Sequence, residues 1–314
     1  MRLESELVKQ RYYSYAGLRV RSDLPIPEWT VFEEKHPFAV PEVIISLAPA
    51  ADAVPDLPVV SPDEYNFCVP EIGAYRVRGG REILVTPAPK AGQRELRLFL
   101  LGSAWGALCY QRGFLSLHSS AIQVGDGAVA FCGSSGSGKS TAAAWLLNRG
   151  FLFAGDDLSR FDAPAGGKPI IYPSATHLKL WHEAFGPLGR DHKGLERDHF
   201  RQEKYHVPLP GAKKRLPLPI RAIYLLEWGE LGLTRLTGRA ALSRLISVAT
   251  YRGDLLEPMG RLAAQWEMCA ALIRQTPVWE FRRPKDWGAM EEAMKVLLEH
   301  FKMLHFKIDG NNLL

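Results

Sequence analysis

The pattern of hydrophobic and polar positions changes near residue 93 of this 314-residue chain. Before it, short runs of alternating apolar and polar residues are separated by Pro and Gly, as in YSYAGLRVRSDLPIP and in YRVRGGREILVTP, where Gly79-Gly80 predicts a turn between two strands. From Gln93 to Arg112, apolar residues recur at every fourth position, which predicts a helix. We therefore predict a β-rich region over residues 1–92, with substrate recognition as one hypothesis for its role.

The second part of the chain alternates strands and helices, which indicates an α/β core of mixed sheet with flanking helices over residues 93–304. A tail over residues 305–314 follows it. Residues 186–216 lack clear periodicity and read as an irregular segment. The predicted strands are 115–124, 127–132, FLFAG, the start of IIYPSATHLKLW, LPIRAIYLLEW and VWEFR. A short helix is predicted at the end of IIYPSATHLKLW. Longer helices are predicted from the glycine-rich segment to about 148 and over about 239–251, 258–275 and 285–303.

Composition narrows the class of protein. Hydrophobic residues make up 46% and charged residues 23% of the chain, the net charge is +5, and the pI is about 9.0. This mild positive charge suits an anionic ligand, and it lacks the dense clustering of a nucleic-acid binder, since Lys213-Lys214-Arg215 is the only basic triplet and is typical of a solvated loop. The four cysteines form no CxxC pair, which favours reduced thiols over a zinc site.

No membrane or export segment is expected. The start, MRLESELVKQ, lacks the apolar stretch of a signal peptide. The most apolar window, Leu98 to Tyr110, is 13 residues long, short of the roughly 20 that cross a bilayer. We therefore expect a cytoplasmic protein.

A phosphate-binding loop follows the apolar strand AVAFC and precedes a helix. Glycines at such a site let several backbone N–H groups point at one anion, and the helix N-terminus adds partial positive charge. Lys139 can reach the β- and γ-phosphates, and Ser140 can place its hydroxyl on Mg²⁺. The predicted nucleotide-binding residues are Gly133, Ser134, Ser135, Gly136, Ser137, Gly138, Lys139, Ser140 and Thr141.

Two aspartates, Asp156 and Asp157, stand sixteen residues after Ser140, at the carboxyl end of the strand FLFAG. Mg²⁺ usually takes one or two carboxylates beside nucleotide phosphates. The second aspartate could then serve as the base that a kinase needs for the attacking hydroxyl. The alternative is that one or both aspartates cap the following turn. His118, on the strand LSLHSSAIQV, is either a packed core residue or a functional one that lies beside the terminal phosphate or orients the aspartate base.

The segment LHSSAIQVGDGAVAFCGSSGSGKSTAAAWLLNRGFLFAGDD resembles the catalytic core of the HPr kinase/phosphorylase family, which shares its nucleotide-binding fold with phosphoenolpyruvate carboxykinases. The resemblance is carried by His118, the loop Gly133–Ser140, Arg149-Gly150 and Asp156-Asp157. It implies ATP and Mg²⁺ as cofactors, Asp156 as general base, Asp157 and Ser140 as Mg²⁺ ligands, and Lys139 on the phosphates. It also implies His118 beside the reacting phosphate and, since HPr kinases are hexamers, leaves room for a homo-oligomer.

Over its whole length the chain is more similar to HPr kinase-related proteins of bacterial gene clusters. Those proteins share the opening YSYAGLRVRSDLPIPE and the segment Leu178 to Trp181. Some of them phosphorylate a serine of a ribosomally made precursor peptide, including lasso-peptide precursors. Of the cations after this segment, Arg197, Arg201, Lys204 and His206, we select Lys204 as the one that could reach the transferring phosphoryl group.

Three functions remain open from the sequence. The leading hypothesis is a Mg²⁺- and ATP-dependent kinase for a serine of a peptide or small protein. The first alternative is a small-molecule kinase or carboxykinase-like phosphotransferase with the same core. The second is an ATP-binding sensor without transfer activity.

Overall fold

The computed structural model describes residues 10–49, 58–164, 167–174, 177–198, 203–209 and 216–306. The chain forms two compact units, one of residues 1–116 with 251–265 and one of residues 117–250 with 266–314. The helix that begins at Gln93 lies in the first unit, so these units differ from the predicted division at residue 92. The basic triplet Lys213–Arg215, Arg201 and the tail from residue 307 lie outside the described residues.

The first unit contains a sheet that has eight strands in the described residues, in the order β3-β1-β2-β4-β8-β7-β6-β5. Neighbours are antiparallel except for β2 with β4 and β4 with β8. The predicted β-rich region is thus confirmed. The strands are β1 Arg11–Tyr15, β2 Leu18–Ser22, β3 Glu33–Glu34, β4 Val43–Leu47, β5 Val59–Val60, β6 Glu64–Val69, β7 Gly73–Arg78 and β8 Glu82–Pro87.

The opening segment from Tyr13 to Ile26 builds the core of this unit. Its apolar side chains alternate inward along β1 and β2 and are buried. The ring of Tyr15 stacks on Trp29 with centroids 3.8 Å apart, and Trp105 packs edge-on against the same indole. The hydroxyl of Tyr13 accepts a hydrogen bond from the backbone N–H of Ile26. This segment therefore serves the packing of the first unit.

The second unit contains a sheet in the order β10-β9-β12-β13-β17-β19-β18, with β11 paired to β9 and a further pairing of β10 with β17. A sheet with three strands in the described residues, β14-β16-β15, accompanies it. Parallel and antiparallel pairs mix, so the predicted α/β class with a mixed sheet is confirmed. The strands are β9 Leu115–Val124, β10 Gly127–Cys132, β11 Leu152–Gly155, β12 Leu158–Asp162, β13 Ile170–Ile171, β14 His177–Trp181, β15 Glu196–Arg197, β16 Lys204–Pro208, β17 Leu218–Trp228, β18 Gly232–Leu236 and β19 Val278–Arg283.

Two sequence expectations for this unit were wrong. The short helix expected near LKLW is strand β14, because Leu178 and Leu180 alternate inward and the strand pairs along its whole length with β16. The segment expected to be irregular contains β15 and β16. In β16, Tyr205 and Val207 alternate inward in the same way, but flanking polar residues masked this short pattern.

The helices lie at the predicted positions, but the helices predicted from about 258 and 285 begin later, at Leu262 and Met290. The helix from Gln93 is interrupted by a π-helical turn, Leu100–Ala104. In the second unit, Arg149 lies over the Trp145 ring, 3.3 Å from its centroid, and pairs with Glu291. None of the described helices combines the length and apolar character of a bilayer span. The helices are α1 Gln93–Phe99, α2 Trp105–Gln111, α3 Lys139–Leu147, α4 Gly238–Ala249, α5 Leu262–Gln275 and α6 Met290–Met303.

Candidate active site

Strand directions bring the predicted residues to one edge of the sheet in the second unit. Strand β9 runs antiparallel to both β10 and β11. The beginning of β9, with His118 and Ser120, therefore lies beside the ends of β10 and β11. The phosphate loop follows β10, and Asp156 follows β11.

The phosphate loop has the backbone that its glycines permit. Gly136 and Gly138 both have φ of +81°, in the left-handed region that favours glycine. A Cβ on Gly133 would lie 2.9 Å from the carbonyl oxygen of Leu226, so only glycine fits this close approach. The buried ammonium of Lys139 donates to the carbonyl oxygens of Gly133 (2.8 Å) and Ser134 (3.0 Å). The loop is thus closed around its own lysine.

Asp156 is buried and accepts hydrogen bonds at both carboxylate oxygens. Its Oδ1 accepts from the hydroxyl of Ser120 and, at 3.0 Å, from the hydroxyl of Ser140. Its Oδ2 accepts from the backbone N–H of Lys179 at 3.1 Å. Burial, together with the neighbouring Asp157 carboxylate, raises the pKa of Asp156. Asp156 is therefore the aspartate that holds the Ser140 hydroxyl.

Asp157 contacts different side chains from those that Asp156 contacts. Its φ of +72° is in the left-handed region, so the extended backbone of β11 does not continue through this residue. Its Oδ2 lies 2.7 Å from Nζ of Lys179, and its Oδ1 lies 3.4 Å from Nε2 of His118. About a third of its side-chain surface is exposed.

Burial and the nearby charges together set the pKa values of Asp157 and His118. Burial alone would raise the pKa of Asp157, but the Lys179 ammonium and the other nearby cations hold it well below its usual range. Burial lowers the pKa of His118 to about 4, and the Lys139 ammonium adds to this shift. At neutral pH the site thus pairs an ionised Asp157 with a neutral imidazole.

A cavity of about 660 Å³ joins these residues. Lys204 lines it, with its Nζ 5.8 Å from the centroid of the Trp181 ring. Arg197 and His206 are placed elsewhere, beside Tyr205 and Asp198. Of the predicted site residues, the cavity is lined by His118, Ser135, Gly136, Gly138, Lys139, Ser140, Thr141, Asp156, Asp157 and Lys204.

The cavity residues that sequence reasoning missed include Lys179, Trp181, Trp228 and Arg283. A signal existed for Lys179, because a lysine between two inward-facing leucines of a strand must lie on the opposite face. Trp228 and Arg283 end β17 and β19, which are parallel neighbours that pair these two residues. No local pattern marks either of them.

Each aspartate contacts different residues from those that its predicted role suggested. Asp157 was expected on the metal, together with Ser140, but Asp156 is the aspartate that touches Ser140. The oxygens of Ser140 and of both aspartates are hard donors of the kind that Mg²⁺ takes in proteins, so the residues fit this ion. The loop beside them fits a phosphate chain.

Comparison with known proteins found likeness among solved structures. No family model and no curated protein matches the chain. Among solved structures, the HPr(Ser) kinase/phosphatase from Coxiella burnetii aligns over 60% of this chain and 97% of its own, with 11% sequence identity and a TM-score of 0.33. A functional assignment therefore rests on the geometry of the site itself.

Proposed function

We propose that the chain is a Mg²⁺-dependent kinase that transfers the γ-phosphate of ATP to a serine hydroxyl of a peptide or small protein. One observation carries the proposal: the Ser140 hydroxyl of the phosphate loop is held by Asp156, and a second carboxylate, Asp157, faces the same cavity. A site that only binds a nucleotide needs the contact between Ser140 and Asp156. The second carboxylate, Asp157, supplies the proton acceptor that transfer to a hydroxyl requires.

Ser140 and Asp156 would hold Mg²⁺. Asp156 accepts a hydrogen bond from the Ser140 hydroxyl, which leaves the lone pairs of that oxygen for the ion. When bound, Mg²⁺ neutralises charge on the phosphate oxygens. The Lys139 ammonium would exchange its two loop carbonyls for the β- and γ-phosphates.

We assign the proton acceptor to Asp157 because of its exposure, an assignment opposite to that expected from sequence. Its lowered pKa keeps Asp157 ionised at neutral pH, although the raised pKa of Asp156 makes that carboxylate the stronger base. Asp156 is 8% exposed and accepts hydrogen bonds at both oxygens, whereas about a third of the Asp157 side-chain surface is exposed. In the proposed step the serine oxygen bonds to the γ-phosphorus, the bond to the bridging oxygen breaks, and ADP keeps its electron pair. Asp157 takes the hydroxyl proton, with the neutral His118 beside it.

The lysines of the cavity provide positive charge where the phosphoryl group would move. Lys179 contacts Asp157, and Lys204 lies close enough to both aspartates to lower their pKa values. Transfer passes through a loose transition state with charge spread over the equatorial oxygens, which such cations stabilise.

The acceptor is proposed from the resemblance noted in the sequence. The opening from Tyr13 and the segment Leu178–Trp181 are similar to those of kinases that act on ribosomally made precursor peptides. We therefore propose a serine of such a peptide, a lasso precursor among them, as the substrate.

Transfer to peptides tests this proposal directly. The full chain is incubated with γ-labelled ATP, Mg²⁺ and a set of serine peptides that includes any precursor encoded beside its gene, and phosphoserine is located by mass spectrometry. Labelled phosphoserine in the wild type, with loss in Lys139→Met, supports the proposal. Label passing to metabolites instead favours a small-molecule kinase, and ATP binding without transfer to any acceptor favours a sensor.

A further inference from the structure

The phosphate loop divides the cavity into two flanks. The sheet order places β9 and β11, with His118 and the aspartates, on one side of β10, and β17 and β19 on the other. The acids must face the terminal phosphate for transfer to occur. A nucleotide that lies along the loop therefore extends its nucleoside toward the ends of β17 and β19.

Arg283 connects that second flank to the loop. Its Nη2 donates to the carbonyl oxygen of Ser137, and its guanidinium lies 4.4 Å from the centroid of the Trp228 ring. A Cβ on Gly138 would come within 2.4 Å of the same Nη2. The arginine is therefore pressed against the loop at the point where its backbone would hold the phosphates.

Among the described residues, the guanidinium of Arg283 is a buried cation with no carboxylate paired to it. Arg283 is 6% exposed, and its Nη1 has no hydrogen-bond partner within the described ranges. Burial lowers its pKa to about 10. A buried charge of this kind is costly until an opposite charge approaches, and a phosphate chain entering the cavity supplies one.

An aromatic surface continues this flank. Trp287, 38% exposed, lines the cavity in the turn that follows β19, together with Pro284 and Met290. Tryptophan offers a flat apolar face, and every nucleobase has a π-face to stack on it. An exposed indole and a buried cation that line one cavity thus match the two chemical parts of a nucleotide.

We propose that this flank is the nucleoside subsite, in which the base of ATP stacks on Trp287 while Arg283 supports the loop and attracts the phosphate chain. The inference rests on the proposed function for the direction in which the nucleotide lies. Its ligand is a nucleoside triphosphate, and the subsite selects the nucleotide over bare triphosphate.

Binding of two probes, ATP and inorganic tripolyphosphate, tests the subsite in the full chain with Mg²⁺. By isothermal titration calorimetry, Trp287→Ala should weaken ATP binding about 5- to 100-fold, the loss typical of removing one base-stacking aromatic. Tripolyphosphate binding should change less than about 2-fold, since only the phosphate part of the site is used. Trp266→Ala is the matched control, because Trp266 is 45% exposed and does not line the cavity.

Arg283→Met should weaken both probes, while Arg283→Lys should restore part of the tripolyphosphate binding because it keeps the charge. The subsite is wrong if Trp287→Ala leaves ATP binding unchanged or weakens both probes equally. If the wild type prefers ATP through Trp287 but phosphorylates no acceptor, the subsite stands and the proposed kinase function fails. If the wild type binds neither probe, both fail.

Discussion

The ammonium Nζ of Lys179 lies 2.7 Å from Oδ2 of Asp157. The backbone N–H of the same lysine donates to Oδ2 of Asp156 at 3.1 Å. One residue of β14 thus fixes both aspartates, one through its side chain and the other through its main chain. Two adjacent carboxylates repel each other, and Lys179 holds them through two different groups, its backbone N–H and its side-chain ammonium.

Replacing Lys179 by Met should lower phosphoryl transfer about 10- to 100-fold, the usual effect of losing a group that orients a reacting side chain. The Asp157 carboxylate would lose its cation and its fixed position, while the backbone contact to Asp156 remains. Steady-state turnover with a peptide acceptor measures the effect, and Lys193→Met, an exposed lysine, is the control. Wild-type turnover in Lys179→Met would show that Asp157 does not depend on this lysine.

The two aspartates should respond differently to replacement by Asn. Asp157→Asn should lower the transfer rate by about 10²-fold or more at saturating Mg²⁺, as expected when a proton acceptor is lost. Asp156→Asn should mainly raise the Mg²⁺ concentration needed for half-maximal rate, because Ser140 loses its acceptor. Transfer assays over a Mg²⁺ series separate the two. The opposite pattern would restore the assignment made from sequence.

Gly138→Ala should impair both folding and nucleotide binding. Its φ of +81° makes any side chain strained by about 1–2 kcal/mol. The new Cβ would also collide with Arg283. Gly136→Ala is the matched control, since Gly136 has the same φ but open space around its Cβ position. Denaturant unfolding and ATP titration should show a larger loss for Gly138→Ala, and equal losses would argue against the Arg283 contact.

His300 should make stability depend on pH. Its imidazole is buried and lies 2.9 Å from the Tyr224 hydroxyl, and burial, with Arg235 nearby, lowers its pKa. The unfolded chain therefore binds this proton more readily, so the contribution is full above about pH 6.5 and is lost as the pH falls below it. Unfolding free energies at pH 7.5 and 5 should differ less in His300→Gln than in the wild type. An unchanged difference would exclude His300 as a cause.

Much of the site around the phosphate loop and the aspartates could be predicted, because these residues lie close together in the sequence. The glycines, Lys139 and Ser140 lie in one strand–loop–helix segment, and Asp156 follows one helix and one strand later. Such contacts depend on short stretches of chain whose hydrophobic period sets their structure. The strands 115–124 and 127–132 were predicted at their observed bounds for the same reason.

Tertiary structure alone decided which residues complete the site. Lys179 stands 22 residues from Asp157, and Arg283 stands 146 residues from Ser137, so neither pairing follows from local spacing. Parallel pairing of β10, β17 and β19 brings Trp228 and Arg283 to the loop. The division of the aspartates between Ser140 and Lys179 also depends on the position of β14. The sequence by itself determined that a phosphate loop and an acid pair would lie close together. Sheet packing determined which residues contact them, because strands that are distant in the sequence meet only in the folded chain.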